Sequence, residues 1–69
     1  MCIDRAIQNK ESYIRHWIEE MRTNMNLLHD APDSTRIIRR MKKIAGVLEE
    51  ETEELNRFRV MRAAGEEYV

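Results

Sequence analysis

The segment His29-Asp30-Ala31-Pro32-Asp33-Ser34 holds the strongest break in the chain and decides the fold. Proline disfavours helical geometry at the residue before it, so a helix that arrives from the N-terminal side should end by about Asp30. Asp33 or Ser34 can accept a hydrogen bond from a free backbone N–H group and cap a second helix. The segment therefore predicts a turn over residues 30–33 between two helices.

Apolar residues on both sides of this turn recur at intervals of three, four and seven, which is typical of one face of an α-helix. We predict a first helix from about residue 4 to 29, with Asp4 as its N-cap, and a second from about 34 to 64, which Gly65 ends. The residues predicted to form the core or a dimer seam are Ile7, Ile14, Ile18, Met21, Leu28, Ile37, Met41, Ile44, Leu48, Leu55 and Phe58.

A turn this short makes the two helices antiparallel neighbours, whose facing residue numbers add up to about 65. Glu51 would then enter the apolar seam, where it can reach Lys10, reach the Tyr13 hydroxyl or extend to the solvent at the edge. The same register brings opposite charges together: Lys10 with Glu54, Arg15 with Glu50, and Glu19 and Glu20 with Lys42 and Lys43. Such exposed pairs select the register more than they stabilise it.

The chain is small for a protein that folds alone, with 69 residues in a single domain over residues 1–69 and a mass of 8.3 kDa. Such a domain buries only about 60% of the surface that its unfolded chain exposes. Cys2 has no second cysteine to bond with, which fits a reducing compartment. Further apolar side chains flank the two stripes: Tyr13, Trp17, Ile38, Ala45, Val47, Val60 and Met61. We therefore expect a homodimer that forms a four-helix bundle, with residues 60–69 crossing to the other subunit or fraying.

The residues that catalysis or metal binding would need are scattered along the chain. His16 and His29 lie roughly 20 Å apart on the first helix, and Cys2 is distant from both. No Ser-His-carboxylate grouping and no glycine-rich phosphate loop is present, so we expect no enzymatic activity, no metal and no cofactor. No apolar run approaches the ~20 residues of a membrane span and no signal-peptide pattern opens the chain, so we expect a cytoplasmic protein without membrane contact.

Charge is segregated along the second helix, although the net charge is only −1. Five of the eight residues from 36 to 43 are basic, and five of the six from 49 to 54 are acidic. The basic run lies near the N-terminus of the second helix, where the helix dipole disfavours cations by ~0.3–1 kcal/mol per well-placed group. This placement suggests that the basic residues serve a purpose other than helix stability. The alternative is an ordinary solvated face that Glu19 and Glu20 partly neutralise. Four basic residues share one helical stripe, and we predict that they bind a partner with Trp17 nearby: Arg36, Arg39, Arg40 and Lys43.

Three kinds of binding could use these surfaces. Arginines beside an aromatic residue are typical anchors for an acidic protein partner. A dimer with two basic stripes could bind paired RNA. The negative net charge, the pI of about 6.1 and the acidic run from 49 to 54, which we call the acidic block, disfavour nucleic acid. The acidic block could instead imitate a row of phosphates and occupy the DNA-reading surface of a transcription factor. Of these, we expect a small non-enzymatic inhibitor that binds a host protein.

The layout from Asp4 through the Asp30-Ala31-Pro32-Asp33 turn to Gly65 resembles that of phage-encoded quorum-sensing anti-activators, which bind LasR-type regulators. The resemblance covers the whole chain and rests on length and architecture. It implies a homodimer in the host cytoplasm that blocks DNA binding by such a regulator, and it allows contact with a pilus-assembly ATPase. Rop-like RNA-binding hairpins and type III secretion co-chaperones share the layout and stay as alternatives.

Overall fold

The computed structural model describes all residues from 1 to 69 and confirms the predicted all-α hairpin. Helix α1 spans Ile3–Asp30 and helix α2 spans Thr35–Ala63. The two helices pack side by side in a rod that measures 49 × 15 × 15 Å. Each helix end lies one residue from the position that the sequence pattern predicts, so the short break after Asp30 is enough to place both helices.

Ser34 rather than Asp33 caps α2. Its hydroxyl accepts a hydrogen bond from the backbone N–H of Ile37 at 3.4 Å. The turn is closed by the backbone N–H of Ser34, which donates to the carbonyl oxygen of Ala31 at 3.0 Å. These two bonds hold the start of α2 beside the end of α1, which makes the helices antiparallel neighbours.

The start of α1 differs from the prediction, because Asp4 does not cap it. The N-cap is Cys2, whose backbone is extended (φ −66, ψ 144), and no side chain caps the helix. Asp4 lies inside the first turn, where its carboxylate is 3.3 Å from the guanidinium of Arg62. The Asp4 prediction is wrong because the acceptor at this end comes from the other terminus: the N–H of Ile3 donates to the carbonyl oxygen of Glu67 at 2.7 Å.

The C-terminal tail returns to the start of its own chain. Gly65 has a positive φ of 88°, which L side chains rarely adopt, and it turns the chain back after α2. Cys2 and Tyr68 then form an antiparallel bridge, and the N–H of Val69 donates to the carbonyl oxygen of Met1 at 3.1 Å. Residues 60–69 therefore do not fray, and their crossing to another subunit stays a prediction. We call residues 1–3 together with 67–69 the terminal clasp.

The core is thin and lies mainly at the end of the rod that holds the terminal clasp. The buried residues are Ile3, Ala6, Ile7, Asn24, Ile37, Ile44 and Leu55. Three of them, Ile3, Ile7 and Leu55, form a cluster against which Ile14, Phe58 and Met61 pack. The other predicted core residues are half-buried, namely Met21, Leu28, Met41 and Leu48. Ile18 is 43% exposed and lies outside the core of the single chain, since no element of this chain covers its side of α1.

One predicted ion pair crosses the seam as expected. The Nζ of Lys10 is 2.9 Å from Glu54 Oε1 and 2.5 Å from Glu51 Oε2. Of the three possibilities open to Glu51, the structure therefore shows the contact with Lys10. The side chains of Lys10 and Glu51 are only 18% and 22% exposed, so this pair is half-buried at the edge of the seam.

The other predicted charge pairs are replaced by different partners. Glu20 contacts Arg40 at 3.4 Å, and Glu19 contacts Arg22 at 3.1 Å, instead of Lys42 and Lys43. The reason is helical geometry: Met41 and Ile44 face α1, so the two lysines between them point away from it. The predicted pair between Arg15 and Glu50 does not form either, and the guanidinium of Arg15 donates to the hydroxyl of Ser12.

Gly46 is a weak point in the interior of α2 that a substitution should repair. A Cβ atom at this position would meet nothing within 4 Å, so no neighbouring helix requires a glycine there. We expect Gly46→Ala to raise the free energy of unfolding by about 1 kcal/mol, because alanine has less backbone freedom to lose. Urea unfolding followed by circular dichroism measures the change. Gly65→Ala is the control and should destabilise, since its positive φ strains any side chain; a loss of stability in Gly46→Ala would contradict the prediction.

Candidate protein-binding surface

The basic run lies at the turn end of α2 and is largely without ion-pair partners. All five of its cations are exposed: Arg36, Arg39, Arg40, Lys42 and Lys43. Only Arg40 forms an ion pair, with Glu20 at 3.4 Å, and both of these side chains are at least one-third exposed. We call the five residues the cationic end. Because four of its five cations form no ion pair, the cationic end presents a local positive surplus on a molecule of net charge −1.

The helix dipole adds to this surplus. The first turn of α2 contains no acidic residue, and Ser34 is its only side-chain cap. Arg36 lies in this first turn, beside the positive end of the helix, where a well-placed cation costs about 0.3–1 kcal/mol. An anionic group bound here would interact favourably with both the cations and the helix end.

Two arginines of the cationic end border a groove between the helices. The groove has a volume of about 490 Å³ and is lined by Glu20, Thr23, Asn24, Leu27, Arg36, Ile37 and Arg40. Leu27 is 50% exposed and forms an apolar wall, while Asn24 is buried and donates from Nδ2 to the carbonyl oxygen of Glu20 at 2.7 Å. We call this the turn groove. It combines an apolar wall with two guanidinium groups, a combination that suits an acidic segment carrying an apolar side chain.

The predicted grouping of Trp17 with the basic stripe is not found. Trp17 contacts Tyr13 and His16 edge-on, with ring centroids 6.1 and 5.3 Å away. Its Nε1 is buried without a hydrogen-bond partner. The structure thus joins Arg36 and Arg40 around the turn groove, and it places Trp17 farther along α1 in a separate aromatic cluster. Arg39 and Lys43 lie outside the groove on the outer side of α2.

Sequence reasoning missed the α1 side of the turn groove. Leu27 and Leu28 are consecutive, and two consecutive residues of a helix point about 100° apart, so both cannot face α2. Leu28 is half-buried in the seam and Leu27 is exposed beside the cations. That leucine pair was the available signal for an apolar wall next to the basic stripe.

The acidic block of α2 divides into a structural part and a free part. Glu51 and Glu54 are engaged by Lys10, and Glu54 also lies 3.5 Å from Arg57. The remaining carboxylates, Glu49, Glu50 and Glu53, are exposed and form no ion pair. We call these three residues the acidic trio. The block as a whole is therefore not one surface, and only the acidic trio is available to a partner.

The largest groove lies near the terminal clasp, and the charged side chains that line it are paired with one another. It has a volume of about 510 Å³, and its charged lining residues are Lys10, Glu51 and Glu54. Hydrogen bonding to Glu51 and then to Glu54 raises the pKa of Lys10, and hydrogen bonding from Lys10 lowers the pKa of Glu54. The ammonium of Lys10 also lies 5.9 Å from the centre of the Phe58 ring. Lys10 and Glu54 therefore stabilise each other in their charged forms. Such a pair links the two helices and is not suited to donating or accepting a proton in catalysis.

Neither a metal site nor a known relative adds to this description. The structure contains no group of three or more His, Cys, Asp or Glu residues that could hold a metal ion. Neither helix has the length and apolar character of a membrane-crossing segment. No protein-family model, no curated protein and no solved structure matches the chain. The cationic end and the turn groove are therefore the surfaces of this chain that point to a function.

Proposed function

We propose that the chain is a small non-enzymatic inhibitor whose cationic end binds an acidic segment of a partner protein. One observation carries this proposal: four of the five cations have no ion pair within the chain, although carboxylates are abundant on the same helix. Arginines that border an apolar wall are typical anchors of protein interfaces. Of the two that border the turn groove, Arg36 forms no ion pair, and Arg40 contacts Glu20 across the groove. In this arrangement the carboxylates of the partner contact Arg36 and Arg40, and an apolar side chain of the partner packs on Leu27.

The same surface suits a protein better than a nucleic acid. A phosphate backbone would contact the cations but would leave the apolar wall of Leu27 and Ile37 unused. It would also approach the acidic trio, whose three carboxylates lie on the helix that carries the cations. An acidic protein segment avoids both penalties, because its charged residues can be confined to the turn end.

A finer proposal concerns the class of partner. The resemblance to phage anti-activators leads us to propose a DNA-binding regulator of the LasR type in the host cytoplasm as the first partner to test, and a pilus-assembly ATPase as the second. The acidic trio supports a regulator, because three free carboxylates on an exposed helix face can contact cations that would otherwise bind DNA phosphates. Binding would then exclude DNA from the regulator.

Charge reversal at the turn groove tests the proposal. We expect Arg36→Glu/Arg40→Glu to reduce capture of the partner from host-cell extract at least tenfold, since two attractive contacts become repulsive. Helicity and thermal unfolding should stay close to those of the unmodified chain, because both side chains are exposed. The measurement is affinity capture with the tagged protein, followed by binding to the captured partner in purified form.

The matched control reverses two arginines far from the groove. Arg5 and Arg15 are exposed on α1 and form no ion pair, so Arg5→Glu/Arg15→Glu changes the net charge by the same amount. This control should retain the partner. If both double variants captured the partner equally well, the cationic end would not be the binding surface. Retention of duplex DNA or structured RNA, with a steep dependence of affinity on salt concentration, would instead support a nucleic-acid-binding protein.

A further inference from the structure

One side of the hairpin carries an apolar groove that shares no residue with the turn groove. It is lined by Ile18, Met21, Arg22, Met25 and Leu48, so a single cation accompanies four apolar side chains. Ile18 and Met25 are 43% and 56% exposed. On α2, Ala45 lies one turn before Leu48, and Ile38 lies two turns before Ala45, so exposed apolar positions continue on the same side. We call this side the open face.

The exposed area of the chain indicates how much surface is left uncovered. A monomeric globular protein of this mass exposes about 4,600 Å². The chain exposes 5369 Å², because a hairpin of two helices is a rod rather than a sphere. The surplus is on the order of 800 Å², which equals the share of one partner in an interface of standard size. A second copy that covers one side of the rod would therefore remove the surplus.

Charge determines how two copies can face each other. A two-fold axis parallel to the helices would place both cationic ends at the same end of the bundle, where the unpaired cations of the two chains repel one another. A two-fold axis that crosses the helices places the two turns at opposite ends. In that arrangement α2 packs antiparallel to α2 of the second copy. If the two-fold axis passes midway between Lys42 and Glu49, Lys42 of one chain lies beside Glu49 of the partner subunit.

These two residues are suited to the contact. Lys42 and Glu49 are both exposed, neither forms an ion pair within its own chain, and they lie two helical turns apart on one side of α2. Because the symmetry is two-fold, the contact forms twice. We propose that the open face binds a second copy of this chain in this antiparallel arrangement, with two contacts between Lys42 and Glu49. The contact takes Lys42 from the cationic end and Glu49 from the acidic trio, and it leaves the turn grooves with Arg36 and Arg40 accessible to a partner protein at the two ends of the bundle.

The face is tested by a pair of matched substitutions. We expect the unmodified chain to be a dimer at about 100 µM in analytical ultracentrifugation, with a melting temperature that rises with protein concentration. Met25→Glu should shift it to a monomer, because a carboxylate would be buried in the apolar groove of the open face. Leu27→Glu is the control: it lies two residues away on the same helix, is similarly exposed at 50%, and belongs to the turn groove. This control should remain a dimer.

The register is tested by exchanging charges. Lys42→Glu and Glu49→Lys should each weaken the dimer by about tenfold, since each change sets like charges against each other twice. The double variant Lys42→Glu/Glu49→Lys should restore the affinity of the unmodified chain, because it reverses both partners of each contact.

Three results would overturn the proposal. A chain that is monomeric at every concentration up to about 100 µM has no second copy on its open face. A dimer that Leu27→Glu disrupts and Met25→Glu does not would use the opposite side of the hairpin. A double charge exchange that fails to restore affinity would rule out the antiparallel register.

Discussion

Replacing Leu55 with alanine is expected to lower the free energy of unfolding by about 3 kcal/mol, a large part of the roughly 3–10 kcal/mol that a chain of this length possesses. Leu55 is 7% exposed and belongs to the cluster with Ile3 and Ile7. Removing its branched end leaves a cavity that the backbones of two long helices cannot close. Urea unfolding followed by circular dichroism should show the loss, and the melting temperature should fall by roughly 12–24 °C.

Leu27→Ala provides the matched comparison, because it makes the same chemical change at a helical position that is half exposed. We expect it to cost about 0.5 kcal/mol or less. Helix propensity changes equally in both variants, so the difference between their losses of unfolding free energy measures the effect of burial. If Leu55→Ala cost no more than Leu27→Ala, the cluster near the terminal clasp would not be the main core of the protein.

The second large effect concerns the charged contact inside the seam. Lys10→Met should destabilise the protein by about 1–2 kcal/mol, because it leaves the carboxylate of Glu51 in a largely apolar seam without a partner. Glu51→Leu should cost less, since Lys10 keeps its contact with Glu54. The double variant Lys10→Met/Glu51→Leu should be about as stable as the unmodified chain, because two apolar side chains replace the pair. Urea unfolding of all four proteins measures the coupling between the two residues.

A surface pair provides the control for this cycle. Glu19 and Arg22 are both about two-thirds exposed, so their coupling should be close to zero when they are replaced by leucine and methionine. Strictly additive effects of Lys10→Met and Glu51→Leu would contradict the view that the seam pair acts as a unit.

The same contact gives stability a predictable dependence on pH. The pKa of Glu54 is lowered by its hydrogen bond from Lys10, so its contribution is present above the ordinary value of 4.5 and is lost as the pH falls through the lowered value. The pKa of Lys10 is raised by its hydrogen bonds to Glu51 and Glu54, so its contribution is present below 10.5 and is lost as the pH rises through the raised value. The Lys10→Met variant should therefore lose less stability than the unmodified chain at both extremes. Melting temperatures across the pH range measure this.

Several features of the site could be read from the sequence, and others could not. The spacing of the cations on α2 predicts their shared stripe, because residues three and four apart on a helix are neighbours. Spacing within one helix does not say which residues of the other helix lie opposite. The wall of Leu27 in the turn groove, and the separation of Trp17 from the arginines, follow from how the two helices are rotated about their own axes. The ion pairs show the same limit: the register predicts the contact between Lys10 and Glu54, but the direction of each side chain decides that Glu20 contacts Arg40.

The sequence by itself determined the two helices and the turn between them, because proline geometry, capping and a helical apolar period are local properties that need no distant contact. The tertiary structure alone decided how the ends meet. The pairing of Cys2 with Tyr68 joins residues that are distant along the chain and carry no periodic signal, and Gly65 reads equally well as a plain helix stop. It also decided which apolar residues stay exposed, since two packed rods cover one stripe of each helix and leave a second side, with Ile18 and Met25, in contact with water.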